Sequence, residues 1–421
     1  MPNSDPSPLG FRLRFDSAHC PTSGGRVHLI CELAPPSARP ARERQPLDLH
    51  LVLDVSGSMT GEKLAAVQQA CAGILARLRE GDRVSAVTFA SDVRVHAHGV
   101  HAGSAEVRAL EQELRGLVTR GNTNLSGGWL TGVELASSAR ASGRRAAVVL
   151  LSDGMANDGV VSPPQLAEMA RRSAEQGIST TCVGVGSDYS TEQLGAIAEG
   201  SGGRFHHANT ESEIQQVLLG ELDELTAVYL ERVELALDAP ADFVVQPLGG
   251  TTGRVVGGLQ LVQLGALYSG VARKVVIALD VPPRMEGSAQ SLHVALTGSL
   301  ASNGETLTLG ESVQLRWTDL RPVVIAPPDL LLVAQHTAAW LERTCADLNE
   351  RGDFAQVRRL RSRYLPQMRR HAREDEQALH EVERVESQLV EAEDAMSPMA
   401  RKEMYVRSMK APRGERDLRG S

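Results

Sequence analysis

Long apolar runs are missing from this 421-residue sequence. The longest, Ala146 to Leu151, is six residues, whereas a bilayer-spanning helix needs about 20. No segment reads as membrane-crossing. Lysine is scarce: of 44 basic residues only Lys63, Lys274, Lys402 and Lys410 are lysines. Mechanisms that need a lysine in the site therefore have few candidates. The net charge of −8 is the wrong sign for a nucleic-acid binder, which is usually basic. The five cysteines, Cys20, Cys31, Cys71, Cys182 and Cys345, are odd in number and contain no C-x-x-C pair. That is the usage of a reducing compartment, where Cys serves as a small core residue, and a Cys20–Cys31 disulfide runs against it. Met1–Pro8 shows no basic cluster followed by an apolar stretch, so the expectation is no secretory signal and a cytoplasmic protein.

What is present falls into compositional regimes. From 47 to 225, short apolar runs alternate with helical patterns. Leu47–Asp54, Arg83–Ala90, Arg145–Ser152 and Ile178–Gly184 read as strands. Glu62–Arg79, Ser126–Ala141, Pro164–Gln176, Thr191–Glu199 and Ser212–Leu225 read as helices. The runs HLVLD and VVLLS are apolar almost throughout, as strands buried on both faces must be. Repeated β-α alternation implies an α/β fold with a doubly wound, mostly parallel sheet, and Val93–His98 reads as an antiparallel edge. On either side the period is two. Phe11–Phe15 and Val27–Leu33 upstream, and six runs between Val228 and Trp317 downstream, read as a β-sandwich. Two strands cannot bury a face alone, so the α/β domain is expected to be inserted in that sandwich. The expected division is 1–46 for the first sandwich strands, 47–225 for the α/β domain and 226–325 for the rest of the sandwich. A helical region follows over 326–396. Residues 397–421 hold seven basic and three acidic side chains with no periodic core pattern, and read as a disordered tail. Its cations, Arg401 to Arg419, are interrupted by Met404, Tyr405, Met409 and Leu418. It could solubilise, or order on an acidic partner or on nucleic acid.

The first parallel strand ends in Asp54-Val55-Ser56-Gly57-Ser58. Strand C-termini of an open α/β sheet are where ligands bind. Asp54 offers a carboxylate, while Ser56 and Ser58 offer hydroxyls. Gly121-Asn122-Thr123-Asn124 and Ser152-Asp153-Gly154 reach the same rim, adding the Thr123 hydroxyl and the Asp153 carboxylate. Such hard oxygen donors suit Mg²⁺ rather than zinc, and water or a partner's carboxylate would complete the shell.

D-V-S-G-S, then N-T-N, then S-D-G, on successive strand ends, resembles the metal-ion-dependent adhesion site of von Willebrand factor type A domains, as in integrin inserted domains. The resemblance implies that Asp54, Ser56, Ser58, Thr123 and Asp153 form the metal site, with Mg²⁺ the expected ion and Mn²⁺ or Ca²⁺ as alternatives. It implies a binding module, not an enzyme, that captures an Asp or Glu of a protein partner. In intracellular bacterial relatives such partners are commonly AAA+ ATPases, kinases or phosphatases. The segment L-G-A-L-Y-S-G-V-A-R-K-V-V-I-A-L-D-V-P also resembles the sandwich of inter-alpha-trypsin-inhibitor heavy chains. Two other readings stay open. A phosphoryl-transfer enzyme of the haloacid-dehalogenase kind also puts an Asp at the end of strand one, but needs a second carboxylate where this chain has Ser56, and a cation for which Arg144 or Arg145 would be poor substitutes. An extracellular adhesin or channel-associated subunit would need an export signal.

Lesser signals have bland readings. Arg351-Gly352-Asp353 sits between two helical patterns and reads as a helix turn, with Gly at C′ and Asp as N-cap. Gly184-Val-Gly186 lacks the lysine of a phosphate loop, and Asp188 reads as a cap of the next helix. His96, His98, His101, His206 and His207 read as solvated edge positions, with no acidic partner at ligand spacing.

Overall fold

The structure, a computed structural model, describes residues 9–17, 19–37, 46–186, 188–249, 253–320 and 324–410. It divides into two compact units. One comprises 38–232 and 299–305; the other comprises the described residues before 38, 233–298, and those from 306 onward. No helix among the described residues is long and apolar enough to cross a membrane.

The second unit opens the chain with β1 (Gly10–Phe15), β2 (His19–Cys20) and β3 (Gly25–Ala34). The α/β unit follows with β4 (Leu47–Asp54), β5 (Arg83–Phe89), β6 (Val93–His101), β7 (Arg145–Ser152), β8 (Ser179–Val185) and β9 (Phe205–Ala208). They form one sheet in the order β6-β5-β4-β7-β8-β9. Only the β5–β6 pair is antiparallel; the other four are parallel. Every residue of β4 and of β7 is buried, because helices cover both faces.

Leu47, Leu49, Leu51 and Leu53 point to the face lined by α1 (Glu62–Arg77), α2 (Ala105–Arg115) and α6 (Glu211–Thr226). The opposite face carries α3 (Leu125–Ala141), with α4 (Pro163–Glu175) and α5 (Thr191–Gly200) beside it. Helix α3 sits unusually close to the sheet. A Cβ at Gly128 would lie 2.4 Å from the Phe89 ring, and one at Gly132 would lie 2.4 Å from Val52 Cγ2. Two glycines four residues apart share one helix face, and their lack of side chains lets that face lie directly on Val52 of β4 and Phe89 of β5. That close contact sets the height of the loop before α3. Helix α2 is absent from the sequence-based expectation, although Val107, Leu110 and Leu114 are its buried stripe.

One residue after α6, β10 (Val228–Asp238) begins. It is followed by β11 (Val244–Pro247), β12 (Gly253–Val256), β13 (Leu259–Tyr268), β14 (Arg273–Val281), β15 (Ala289–Leu300) and β16 (Thr306–Trp317). These make two sheets, β1-β3-β14-β11 and β12-β13-β10-β15-β16-β2. Strand β3 pairs antiparallel with β14 from Arg273↔Leu33 to Val281↔Gly25, so strands from the two ends of the inserted unit share one sheet. Phe243 meets Trp317 edge to face at 6.3 Å, bringing side chains of the two sheets together. All five cysteines are buried and unbridged.

The chain ends in α7 (Pro327–Glu350), α8 (Phe354–Ala372), α9 (Glu376–Glu391) and α10 (Pro398–Lys410). Val333 of α7 packs on Leu248, Val276 and Ala278. Between α7 and α8, Gly352 takes φ +72° and the Asp353 side chain accepts the Gln356 N–H. The Arg351-Gly352-Asp353 tripeptide is thus the helix turn the sequence implies. The segment expected to be a disordered tail from 397 departs from that reading. Residues 398–410 are helical, with Met404 in the core of α7–α9 and the Arg343 guanidinium over the Tyr405 ring at 5.5 Å. Ala400 and Met404, four apart, face α7, which supplies the apolar surface the tail lacks by itself. Two of its cations have internal partners: Arg401 bonds the Met396 carbonyl and Arg407 lies 3.8 Å from Glu342. The expectation for 411–421, with Leu418, falls outside the described residues.

One buried group has a measurable consequence. His50 of β4 is 1% exposed and neither ring nitrogen has a hydrogen-bond partner among the described residues. Burial pushes its imidazole down to about 4, against a smaller upward pull from Asp48. The unfolded chain takes up this proton near pH ~6.5 and the folded one does not until about pH 4. Stability therefore falls as pH drops through that window, by up to ~1.4 kcal/mol per pH unit. His50→Leu is expected to keep or raise stability at pH 7, since no buried polar atom goes unbonded, and to flatten the slope below pH 6.5. Denaturant unfolding of both forms at several pH values reads this directly. An unchanged slope would show that His50 is not the titrating group.

Candidate metal centre

The rim at the C-terminal ends of β4 and β7 gathers the five sequence-derived residues. Asp54 ends β4 and is fully buried. Its Oδ1 accepts the Ser56 N–H at 2.8 Å and its Oδ2 accepts the Ser152 hydroxyl at 2.5 Å. The chain then turns through a 3-10 segment, Gly57–Met59, which sets the Ser56 and Ser58 hydroxyls 3.1 Å apart. Ser58 donates to Asp153 Oδ1 at 2.7 Å. Asp153, one residue past β7, is also fully buried.

Thr123 arrives on the loop before α3. That loop is pinned to the end of β4: the Arg120 N–H donates to the Val55 carbonyl at 2.7 Å, and the Gly57 N–H to the Gly121 carbonyl at 3.2 Å. Gly121 is needed there, because it holds φ +56° and a Cβ would stand 2.4 Å from Ser91 Oγ. Asn124 caps α3 by accepting the Gly127 N–H, and Asn157 accepts the Thr123 N–H at 3.1 Å. A Cβ on Gly154 would lie 3.2 Å from Thr123 Oγ1 and 3.5 Å from Ser58 Oγ. The Thr123 and Ser58 hydroxyls therefore flank one spot, which Gly154 leaves free of a side chain. Asp54, Ser56, Thr123 and Asp153 are buried and Ser58 is exposed, so the cluster opens to solvent at Ser58.

Two buried carboxylates this close need positive charge. Burial pushes the Asp54 carboxyl up to about 6; hydrogen bonds from Ser152 and Ser56 oppose this and the charge of Asp153 adds to it. Lys63, in the first turn of α1, places its Nζ 2.6 Å from Asp153 Oδ2. Sequence reasoning counts this residue among the few lysines but does not place it at the rim. The available signal was its place one turn into the helix that follows D-V-S-G-S, because helical side chains lean back toward their N-terminus. The donor set of two carboxylates and three hydroxyls, anionic and hard, fits a divalent cation of the Mg²⁺ or Ca²⁺ type.

Other candidates lie elsewhere. Arg144 bonds Asp48 and Arg145 bonds Glu231; both sit at the start of β7, the end opposite Asp153. Gly184 gives room to the Tyr189 ring and Gly186, at φ +70°, to Lys63. The cap of α5 is Ser190, which accepts the Gln193 N–H, not Asp188. Three of the strand histidines have partners that sequence spacing hid. His96 contacts Glu113 at 2.5 Å, His206 contacts Glu221 at 3.0 Å and His207 contacts the Tyr189 hydroxyl at 2.6 Å. Glu221 is held low, its burial outweighed by the His206 and Arg204 charges and by hydrogen bonds from His206 and Thr181.

Comparisons with known proteins bear on the fold that carries this rim. The sequence profile of the von Willebrand factor type A domain matches residues 48–219. The uncharacterized protein YfbK of Escherichia coli K12 is 27% identical over 253 residues, 59% of this chain and 42% of that protein. Inter-alpha-trypsin inhibitor heavy chain H1 of Sus scrofa is 30% identical over 200 residues, 46% of this chain and 22% of that protein. The chain thus spans less than half the length of these two relatives. The solved structure of a von Willebrand factor type A protein from Catenulispora acidiphila superposes with a TM-score of 0.70 at 18% identity, covering 97% of this chain and 98% of that one, a likeness of fold. Residues 48–219 are a von Willebrand factor type A domain, in a chain related to YfbK and to the inter-alpha-trypsin inhibitor heavy chains.

Proposed function

We propose that the type A domain is a divalent-cation-dependent protein-binding module, in which Asp54, Ser56, Ser58, Thr123 and Asp153 hold Mg²⁺ and a partner protein presents an Asp or Glu to it. Type A domains commonly mediate protein–protein interactions. The observation that carries the reading is the convergence of two fully buried carboxylates and three hydroxyls on one rim, with Ser58 alone open to solvent. When bound, the cation supplies a positive centre that an incoming carboxylate can ligate. Ser152 orients Asp54, Asn157 fixes the backbone of Thr123, and Gly154 keeps the mouth clear. The loops 59–61, 122–127 and 154–159 border the mouth and would supply specificity. Binding is favoured over phosphoryl transfer because a general acid would have to be Ser56, a hydroxyl that stays protonated in the working pH range. The reading places the protein as an adaptor or scaffold in a reducing cytoplasm, supported by five buried, unbridged cysteines.

Asp54→Ala and Thr123→Ala are expected to abolish divalent-dependent capture of an acidic partner while leaving a cooperative thermal transition. Ser152→Ala, which frees Asp54 Oδ2, should weaken metal affinity by ~10- to 100-fold. Pull-down with and without chelator, beside calorimetric Mg²⁺ titration, checks both. Unfolding by chelator alone would make the site structural instead.

Lys63 yields a separate expectation. Its ammonium neutralises Asp153 when no metal does so, through a charge-assisted hydrogen bond of roughly 1.5–3 kcal/mol, and must yield when a divalent cation binds. Lys63→Met should lower the melting temperature of the metal-free protein, since Asp153 is left buried without a cation. It should also tighten Mg²⁺ binding by ~10-fold or more. Weaker Mg²⁺ binding in the variant would make Lys63 a support of the site rather than a competitor.

A further inference from the structure

A second cluster of ligand-type side chains lies in the other unit. Asp16 follows β1, His28 sits on β3, and His371 is in the last turn of α8. Asp16 is 7% and His28 6% exposed, while His371 is half-buried. Asp16 Oδ1 accepts two backbone N–H groups, from Ser17 and His28, both at 2.9 Å. Its Oδ2 faces His28 Nδ1 at 2.6 Å. The His371 ring meets the His28 ring edge-on, with centroids 5.2 Å apart and planes at 73°. The Nε2 of His371 is buried with no hydrogen-bond partner among the described residues. One ligand atom from each of the three residues lies within 4.8 Å of the other two.

An Asp–His hydrogen bond alone explains Asp16 and His28. It does not explain a second imidazole brought against that pair with its nitrogen desolvated and unbonded, an arrangement that costs the full hydration of that atom. A cation between the rings would use the lone pair left over. We propose that Asp16, His28 and His371 form a metal site of their own, separate from the type A rim, for a divalent first-row transition cation of the Zn²⁺ type. Two imidazoles and one carboxylate select such an ion over Mg²⁺ or Ca²⁺, which take oxygen donors. Ligand bonds of ~2.0–2.2 Å in a tetrahedron set donor atoms ~3.3 Å apart. The Asp16–His28 contact therefore opens slightly as the cation replaces the hydrogen between them, and the His371 side chain swings in from the end of α8. Its half-exposed side gives the ion a route from solvent, and water takes the fourth position. The site ties the C-terminal helices to the first strands of the same unit, residues more than 340 positions apart in sequence, so the cation acts as a clasp.

The test uses the full chain in an Asp54→Ala background, which removes the type A rim as a competing site. Zn²⁺ is titrated against a chromophoric chelator and Co²⁺ is followed by its visible d–d bands. The expected result is one bound equivalent, tetrahedral-type Co²⁺ absorption and a melting temperature that rises with Zn²⁺. His371→Ala should lose the equivalent, the absorption and the Zn²⁺-induced rise together. His371→Gln, which keeps a polar side chain at the end of the helix, should lose them as well and guards against a folding defect in the alanine variant. Equal Zn²⁺ binding with and without His371, or Co²⁺ spectra without ligand-field bands in the parent, would overturn the proposal.

Discussion

Asp54 and Asp153 terminate adjacent parallel strands and are both fully buried, and the rim around them is organised by the need to neutralise two carboxylates in a poorly solvated place. Hydroxyls from Ser152 and Ser58 and the Ser56 backbone donate to them. Lys63 points its ammonium at Asp153. A site built this way is anionic and preorganised, and its hydroxyls do not compete with an incoming cation by charge. Removing solvent from like charges is unfavourable unless a cation is supplied, so positive charge is a condition of the arrangement rather than an accessory to it.

The scaffold makes that arrangement precise in position through close backbone approach. Gly128 and Gly132 let α3 settle on β4 and β5, and Gly121 lets the preceding loop press against Ser91. Thr123 is held by both ends of this packing: its own N–H by Asn157, and the loop by the backbone bonds from Arg120 and to Gly121. A Cβ at any of the three would stand 2.4 Å from Phe89, Val52 or Ser91, so one of the packed partners would have to shift. Specific placement here depends on residues that contribute no donor atom.

The second unit follows a different logic. Its sheets are completed by β1 and β3 from before the α/β insertion, and its helices bury a continuous apolar stripe from Leu330 to Met404. Buried polar groups there act as joints. Asn349 bonds the carbonyls of Ala392 and Asp394 and the N–H of Met396, fixing the connection into α10. Arg384 pairs with Glu342 and Glu381. Burial raises the Glu342 carboxyl above its ordinary value, and the charge-assisted bond and charge of Arg384 offset only part of that.

The sequence by itself determined the α/β class, the parallel strands and the order in which Asp54, Ser56, Ser58, Thr123 and Asp153 reach the rim. These follow from local signals: unbroken apolar runs such as VVLLS, hydroxyl and carboxyl residues at strand ends, and turn glycines. Leu47–Asp54 and Arg145–Ser152 are readable to the residue because a strand buried on both faces is apolar almost throughout, with Asp48, held by Arg144, and His50 as the polar residues inside β4. Helix α2 was missed because three apolar residues in a charged stretch make a weak stripe. Helix α10 was missed because Met404 and Tyr405 become core only when α7 offers a surface. Lys63 against Asp153, and Asp16 and His28 against His371, lie beyond any local pattern. They bring together side chains 90 and more than 340 residues apart, and proximity across such distances is decided by the packing of whole elements, which no window of sequence contains.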